Sequence, residues 1–318
     1  MSALVESTSL RKAFGPIVAV DDISLHVRKG EVLGFLGPNG AGKSTTMKMI
    51  TGFLEPDRGT SKICGIDVAK HAKAAKGQLG YLPEGAPLYA EMTPKSFLNF
   101  IAAVRGIDGK ARVMSVAAAI EKTRLEAVVD QRIETLSKGY KRRVGLAQAV
   151  LHDPPVLIMD EPTDGLDPNQ KHHVRNLISE MAPQKAVIVS THILEEVEAV
   201  CTRAVVINKG RIVADGTAED LMRRAPYHGA VAVRIAQDRK DAVIAALSKH
   251  AAVDRVELIE RVNGHISLRA IPKNGKPIAT DVAALLREHS LPVEELFVQR
   301  GKLDDVFRQI TMTEGKDA

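Results

Sequence analysis

Three short apolar runs punctuate the first two thirds of this chain: Val32-Leu33-Gly34-Phe35-Leu36, Val156-Leu157-Ile158-Met159 and Ala186-Val187-Ile188-Val189. Runs of this length without polar interruption predict strands buried on both faces. Between them the spacing changes to that of helices. Residues 43–54, 113–122 and 168–181 each read as a helix, and Val144, Ala147 and Leu151 share one face of a further helix that Pro154 stops. Strands alternating with helices call for a parallel sheet. Ahead of the first buried run, residues 4–32 read as short strands, with Ile23-Ser24-Leu25-His26-Val27 alternating at period two.

The pattern shifts at about Pro87. Residues 87–151 turn alanine- and leucine-rich with helical periodicity, a helical insertion into the α/β chain. Thr93 followed by Pro94 opens one of its helices, and Ser137 caps another. A strand at 203–208, a turn at Lys209-Gly210, a short strand and a helix at 217–224 close a first domain, 1–225. Ala225-Pro226-Tyr227-His228-Gly229 reads as a linker into a second domain, 226–318. There the expected elements are strand 230–236, helix 241–250, strands 253–261 and 265–271, helix 278–289 and strand 293–299. That order, β-α-β-β-α-β, is the ferredoxin-like α+β arrangement. A final helix covers 303–312.

The chemistry gathers where the buried runs end. Gly37-Pro38-Asn39-Gly40-Ala41-Gly42-Lys43-Ser44-Thr45 fits the Walker A pattern G-x-x-x-x-G-K-S/T, between a strand and a helix. Its glycines leave the backbone free to curl, so that successive N–H groups converge on a phosphate. The positive end of the helix faces the same point. Lys43 would reach the β- and γ-phosphates, and the Ser44 hydroxyl would take Mg²⁺. A glycine-rich turn that binds nothing has no need of that lysine. The second run ends in Asp160-Glu161: Asp160 suits Mg²⁺ as a Walker B aspartate, and Glu161 can act as general base toward an attacking water. The third ends at Thr191-His192. Ligands of such sheets lie at the carboxyl ends of the strands, where all these residues fall. Phe14 is either a core residue or a platform for a flat base.

Composition narrows the classes. At 318 residues the chain holds one large domain or two ordinary ones. The net charge of +5 is thinly spread, weak support for nucleic acid or an anionic membrane surface. Aromatics at 3%, with no tryptophan, argue against a stacking surface for bases or sugars. Cys64 and Cys201 stand far apart without metal-like spacing and read as reduced and structural, which fits a cytoplasmic setting. No stretch approaches the ~20 apolar residues of a membrane span. The first residues show no basic-then-apolar signal pattern. His172 and His173, adjacent on a helix, do not share a face and read as solvated.

Leu136-Ser137-Lys138-Gly139-Tyr140 resembles the ABC signature sequence, Leu-Ser-Gly-Gly-Gln in its usual form. Gly165-Leu166-Asp167-Pro168 is similar to the D-loop, and His192 to the switch histidine. With Walker A and Walker B in the same order, about the first 225 residues resemble the nucleotide-binding subunit of an ABC transporter. Gly80-Tyr81-Leu82-Pro83-Glu84 and the signature are similar to phrases in the ABC-2-type exporter branch that includes gliding-motility-associated ATPases.

The resemblance implies a P-loop NTPase cassette with a mixed sheet, ATP and Mg²⁺ as cofactors, and ATP hydrolysis that powers a transporter. Its partners would be a multi-span ABC-2-type permease and a second ATPase subunit, closing head to tail as a homodimer. Ser137 and the N–H of Gly139 would face the γ-phosphate in the other subunit. Phe14 would stack on adenine, His192 would contact the γ-phosphate, and Asp167 would link the two sites. Glu84 stands where most of the family has glutamine. A carboxylate could ligate Mg²⁺ as an amide oxygen does, though it adds negative charge beside phosphates. Lys138 replaces the first glycine of the signature and Tyr140 its glutamine. Residues 84–89 would form the loop that meets the permease, so the protein would reach the membrane only through that partner, at the cytoplasmic face, with no role for nucleic acid. The alternative is a soluble ABC ATPase driving assembly of a non-transport complex. A coiled-coil chromosome ATPase would need a far longer insertion, and a nucleotide sensor that does not hydrolyse would not need Glu161.

Overall fold

The structure, a computed structural model, describes residues 2–85, 87–262 and 264–312. Ala86, in the loop expected at 84–89, lies outside the described residues. The chain divides into two compact units between Ala218 and Glu219.

The first unit opens on a hairpin of β1 (Ala3–Phe14) and β2 (Ile17–Arg28), 12 residues each. Both are longer than the period-two pattern predicts. Their pairing slips on either side of Leu10, and Ser9 and Asp22 take left-handed φ values of 48° and 58°. A bulge moves the following side chains to the other face, so alternation breaks although the strand continues. β3 (Val32–Leu36) is buried throughout and leads through the glycine loop to α1 (Lys43–Ile50). This helix stops at Ile50, not at residue 54. Phe53 and Leu54 both donate their N–H to the Lys48 carbonyl, at 2.8 and 3.0 Å, across Gly52 at φ 70°.

β4 (Arg58–Ile63) and β5 (Ile66–Asp67) complete an antiparallel sheet in the order β2-β1-β4-β5. A short helix absent from the sequence reading, α2 (Ala72–Gly77), precedes β6 (Leu79–Leu82). The insertion holds α3 (Pro94–Val104), α4 (Gly109–Thr123) and α5 (Lys138–Val150). At the start of α3, Thr93 Oγ1 accepts from Ser96 N–H at 3.2 Å while Ser96 Oγ accepts from Thr93 N–H at 2.9 Å, a capping box. Phe97, Leu98, Val116 and Val144 join the three helices in one core.

Next come β7 (Val156–Asp160), α6 (Pro168–Met181), β8 (Ala186–Thr191), α7 (Leu194–Val200), β9 (Arg203–Asn208) and β10 (Arg211–Gly216). The central sheet runs β10-β9-β3-β8-β7-β6, parallel except for β10. On one face Phe35, Ile158 and Ile188 pack with Val20, Ile23, Met47 and Ile50 of the hairpin and α1. On the other, Leu157, Met159 and Val187 pack with Leu146, Val174 and Ile178 of α5 and α6. Covered on both sides, β3, β7 and β8 have no polar face, hence their uninterrupted apolar runs.

α8 (Ala218–Met222) crosses the division between the units. Residues 225–229, expected as a linker, form a turn bonded within the second unit: His228 N–H donates to Ala225 and Gly229 N–H to Gln299, each at 3.0 Å. Beyond it lie β11 (Val231–Ala236), α9 (Lys240–Lys249), β12 (Val253–Val262), β13 (His265–Pro272), α10 (Ala279–Glu288), β14 (Glu295–Val298) and α11 (Leu303–Met312). The sheet is antiparallel, in the order β12-β13-β11-β14. Val243 and Leu247 of α9 and Val282 and Leu286 of α10 share one core with Val231, Val233 and Leu268.

β6 runs so close to α5 that a Cβ on Gly80 would strike the Ala149 carbonyl oxygen. Gly80→Ala is expected to cost about 1–3 kcal/mol of stability. A lower midpoint of denaturant unfolding with an unchanged slope would show it; a parental midpoint would mean that β6 and α5 can part freely.

Candidate nucleotide site

The glycine loop is shaped by contacts that exclude side chains. Gly40 and Gly42 take φ values of 80° and 103°, and Gly42 is the N-cap of α1. A Cβ on Gly42 would collide with the Ala19 carbonyl oxygen, and one on Gly37 would lie 2.6 Å from that of Ile207. The loop therefore lies against β2 and β9 and leads into the start of α1, where the first N–H groups of a helix have no partner within it. Lys43 folds back within it, its ammonium donating to the carbonyls of Gly37 at 2.8 Å and Pro38 at 3.2 Å. The Thr46 hydroxyl donates to Gly42 at 2.8 Å and fixes the first helical turn. A cleft of about 340 Å³ opens beside the loop, lined by Lys43, Ser44 and Thr45, by Ala19 of β2, and by Glu84 and Glu161.

The carboxylates stand at the end of β7. Asp160 is 1% exposed. The Ser190 hydroxyl, opposite it on β8, donates to its carboxylate and accepts from Glu161 N–H at 3.1 Å. Glu161 itself takes a left-handed φ of 50°, a conformation that costs a non-glycine residue about 1–3 kcal/mol. Its Oε2 lies 3.0 Å from Nδ1 of His192. Burial raises the pKa of Glu161 above the usual carboxylate value, and His192 and Lys43 oppose that rise. Glu196 of α7, buried, accepts from the hydroxyls of Thr163 and Thr191, the latter at 2.8 Å. It ties the segment after Glu161 to the residue before His192.

Other predicted residues stand apart from the cleft lining. Ser137 caps α5, accepting from Tyr140 N–H at 3.3 Å. Gly139 lies against the side chain of Gln170. Lys138 pairs with Asp164 at 2.9 Å and lies over Gly165. Asp167 caps α6, accepting from Gln170 N–H at 2.9 Å. Phe14 sits at the hairpin tip, 50% exposed, with the Lys12 ammonium 5.9 Å from its ring centre, which sets aside its reading as a core residue. Pro87 and Tyr89 are exposed and Leu88 is half-buried.

Three residues escaped the sequence reading. Ser190 and Glu196 signal weakly, as single polar positions in apolar surroundings. Arg142 signals better: it lies four residues before Leu146 on the buried stripe of α5 and is itself 8% exposed.

A glycine loop at a helix start, with a buried aspartate and a half-buried glutamate at the end of the parallel strand β7, defines a P-loop ATPase. The ABC transporter family matches residues 20–164. The Nod factor export ATP-binding protein I of Ralstonia nicotianae is 33% identical over 309 residues, 97% of this chain and 94% of that protein. The linearmycin resistance ATP-binding protein LnrL of Bacillus subtilis is 31% identical over 97% of this chain and 98% of that protein. A solved ATP-binding subunit of an ABC transporter superposes with a TM-score of 0.65 at 34% identity, covering 70% of this chain and 92% of that one. The chain belongs to the ATP-binding subunits of ABC transporters, which hydrolyse ATP to drive transport.

The raised pKa of Glu161 has a consequence for stability. The folded state holds this proton more tightly than the unfolded chain, so ionising Glu161 weakens the fold as pH rises from the ordinary carboxylate value through the folded one. Glu161→Gln removes that loss. Its melting temperature is expected above the parent's at pH 7, with the gap closing below about pH 4; a gap independent of pH would contradict the burial of this charge.

Proposed function

We propose that this chain powers an ABC-2-type exporter by closing head to tail with a second copy around two ATP molecules. The carrying observation is that Lys43, Ser44, Glu84 and Glu161 line one cleft at the carboxyl ends of parallel strands. Lys43 and the loop N–H groups hold the phosphates. Ser44 and Asp160 would hold Mg²⁺, with Glu84 as a further oxygen. A hydroxyl and one or two carboxylates beside phosphates suit this ion, which keeps several waters. Asp160 is fitted to the task, since the Ser190 hydroxyl fixes its carboxylate. When bound, the ion neutralises charge on the phosphates. Glu161 accepts a proton from the attacking water, and His192, 3.0 Å from it, orients its carboxylate and senses the γ-phosphate.

Ser137 and Gly139 complete the second copy's site from outside, Asp167 links the two sites, and Phe14 stacks on adenine. The loop at 84–89, exposed at Glu84, Gly85, Pro87 and Tyr89, would receive the permease and so bring the chain to the cytoplasmic face of the membrane. Among the described residues no helix is long and apolar enough to cross a bilayer. The names of the two relatives, one for export and one for resistance, favour outward transport. The narrower likeness to gliding-motility-associated ATPases rests on the phrases at 80–84 and 136–140 alone. The strand order β12-β13-β11-β14 supports a ferredoxin-like second domain, a likeness of fold and not of function.

The test is Glu161→Gln. It keeps size and hydrogen bonding but cannot accept a proton, so turnover should fall about 10²–10⁴-fold while ATP binding survives. Light scattering should then find ATP-bound dimers, whereas Lys43→Ala should bind no ATP and stay monomeric. Hydrolysis by Glu161→Gln at the parental rate would remove Glu161 from the mechanism. Co-purification with a multi-span membrane protein separates transport from a soluble assembly role, for which a soluble complex would be recovered instead.

A further inference from the structure

The guanidinium of Arg142 occupies the gap between two chain turns. Nη1 donates to the carbonyl oxygens of Pro83 and Glu84, at 2.9 and 2.7 Å. Nη2 donates to those of Asp160 and Glu161, the latter at 2.6 Å. The acceptors are all main-chain atoms just past or at the ends of β6 and β7, which are neighbours in the sheet. Burial pulls the pKa of Arg142 down, while Asp160, Asp164, Glu161 and Glu84 push it up. Arginine keeps its charge in such surroundings.

The two turns do different work. One carries Glu84 and runs on to exposed Pro87 and Tyr89. The other carries Glu161 in its left-handed conformation, which persists only where the surroundings over-determine it. Ser190 holds the N–H of Glu161, and Arg142 holds its carbonyl. A planar fork can span both turns at once; an ammonium on a flexible stem cannot.

We propose that Arg142 is a positioning residue for hydrolysis: it clasps the Glu84 turn to the Glu161 turn, so that a displacement of the permease-facing loop reaches the general base. This rests on the reading of Glu161 as that base. A residue that merely holds the fold together would weaken every step alike. A positioning residue acts through Glu161 and shows it in a mutant cycle.

The experiment measures ATP turnover by the full chain as parent, Arg142→Gln, Glu161→Gln and the double variant. Arg142→Gln should lower kcat by about 10²-fold, the scale of a small misplacement of a catalytic group, with KM for ATP changed by less than about threefold. In the Glu161→Gln background it should remove no further rate. Equal losses in both backgrounds, or a raised KM with kcat intact, would overturn the clasp and leave the base assignment standing. A parental rate for Glu161→Gln would overturn the base assignment and the clasp with it. If Arg142→Gln fails to fold, Arg142→Lys, which keeps the charge but loses the fork, is read in the same way. Hydrogen exchange on the unaltered chain gives a second readout. A non-hydrolysable ATP analogue should protect peptides spanning 82–85 and 160–164 together, and protection of one without the other would overturn the clasp.

Discussion

In the parallel ladder Leu36 lies opposite Thr191, Asp160 opposite Ser190 and Leu82 opposite Met159. Because β3, β8, β7 and β6 finish level, the residues that follow them enter one space from adjacent positions. A slip of one residue would turn every side chain of a strand to the opposite face. Strands that are apolar on both sides record little of this register in their hydrophobic pattern. The bond between Ser190 and Asp160 records it instead, for a slip would leave a carboxylate without its hydroxyl at a position 1% exposed. An unpaired buried charge of that kind costs several kcal/mol. The alignment that makes a site is therefore held by one of the site's own groups.

Charge is gathered here against its ordinary preference for water. Asp160, Glu161 and Glu196 lie close in the fold, and each has a designated donor: the Ser190 hydroxyl, the His192 ring, and the hydroxyls of Thr163 and Thr191. Hydroxyls satisfy a carboxylate's lone pairs without bringing a second charge out of water. Lys43 is handled in the same manner, through carbonyl oxygens of its own loop.

Much of this was legible beforehand because spacing and chemistry coincide. The Walker A loop announces itself by glycines that neighbouring carbonyls demand, as the approach of Ala19 to Gly42 shows. The span of α6 was readable from Asp167-Pro168 at its start and from Val174, Leu177 and Ile178 on its buried face. The length of the hairpin is not legible because bulges around Leu10 break period two. α7 is hidden in the sequence because its three glutamates obscure a seven-residue helix, one of them, Glu196, being buried against the hydroxyls of Thr163 and Thr191. Arg142 is hidden for a related reason: a cation on a core stripe looks like a surface residue until its acceptors are seen, and these are backbone atoms that no side-chain pattern encodes.

That last feature bears on how such a chain can change over generations. A contact between two side chains constrains both, and altering either breaks it. The hydrogen bonds of the Arg142 guanidinium go to peptide oxygens, which every amino acid supplies. The hydrogen bonds themselves place no demand on the residue types at 83, 84, 160 and 161; what holds those types is the work of their own side chains, such as the bond from Ser190 to Asp160. The link thus constrains one side chain, and the residues it joins answer only to their own roles.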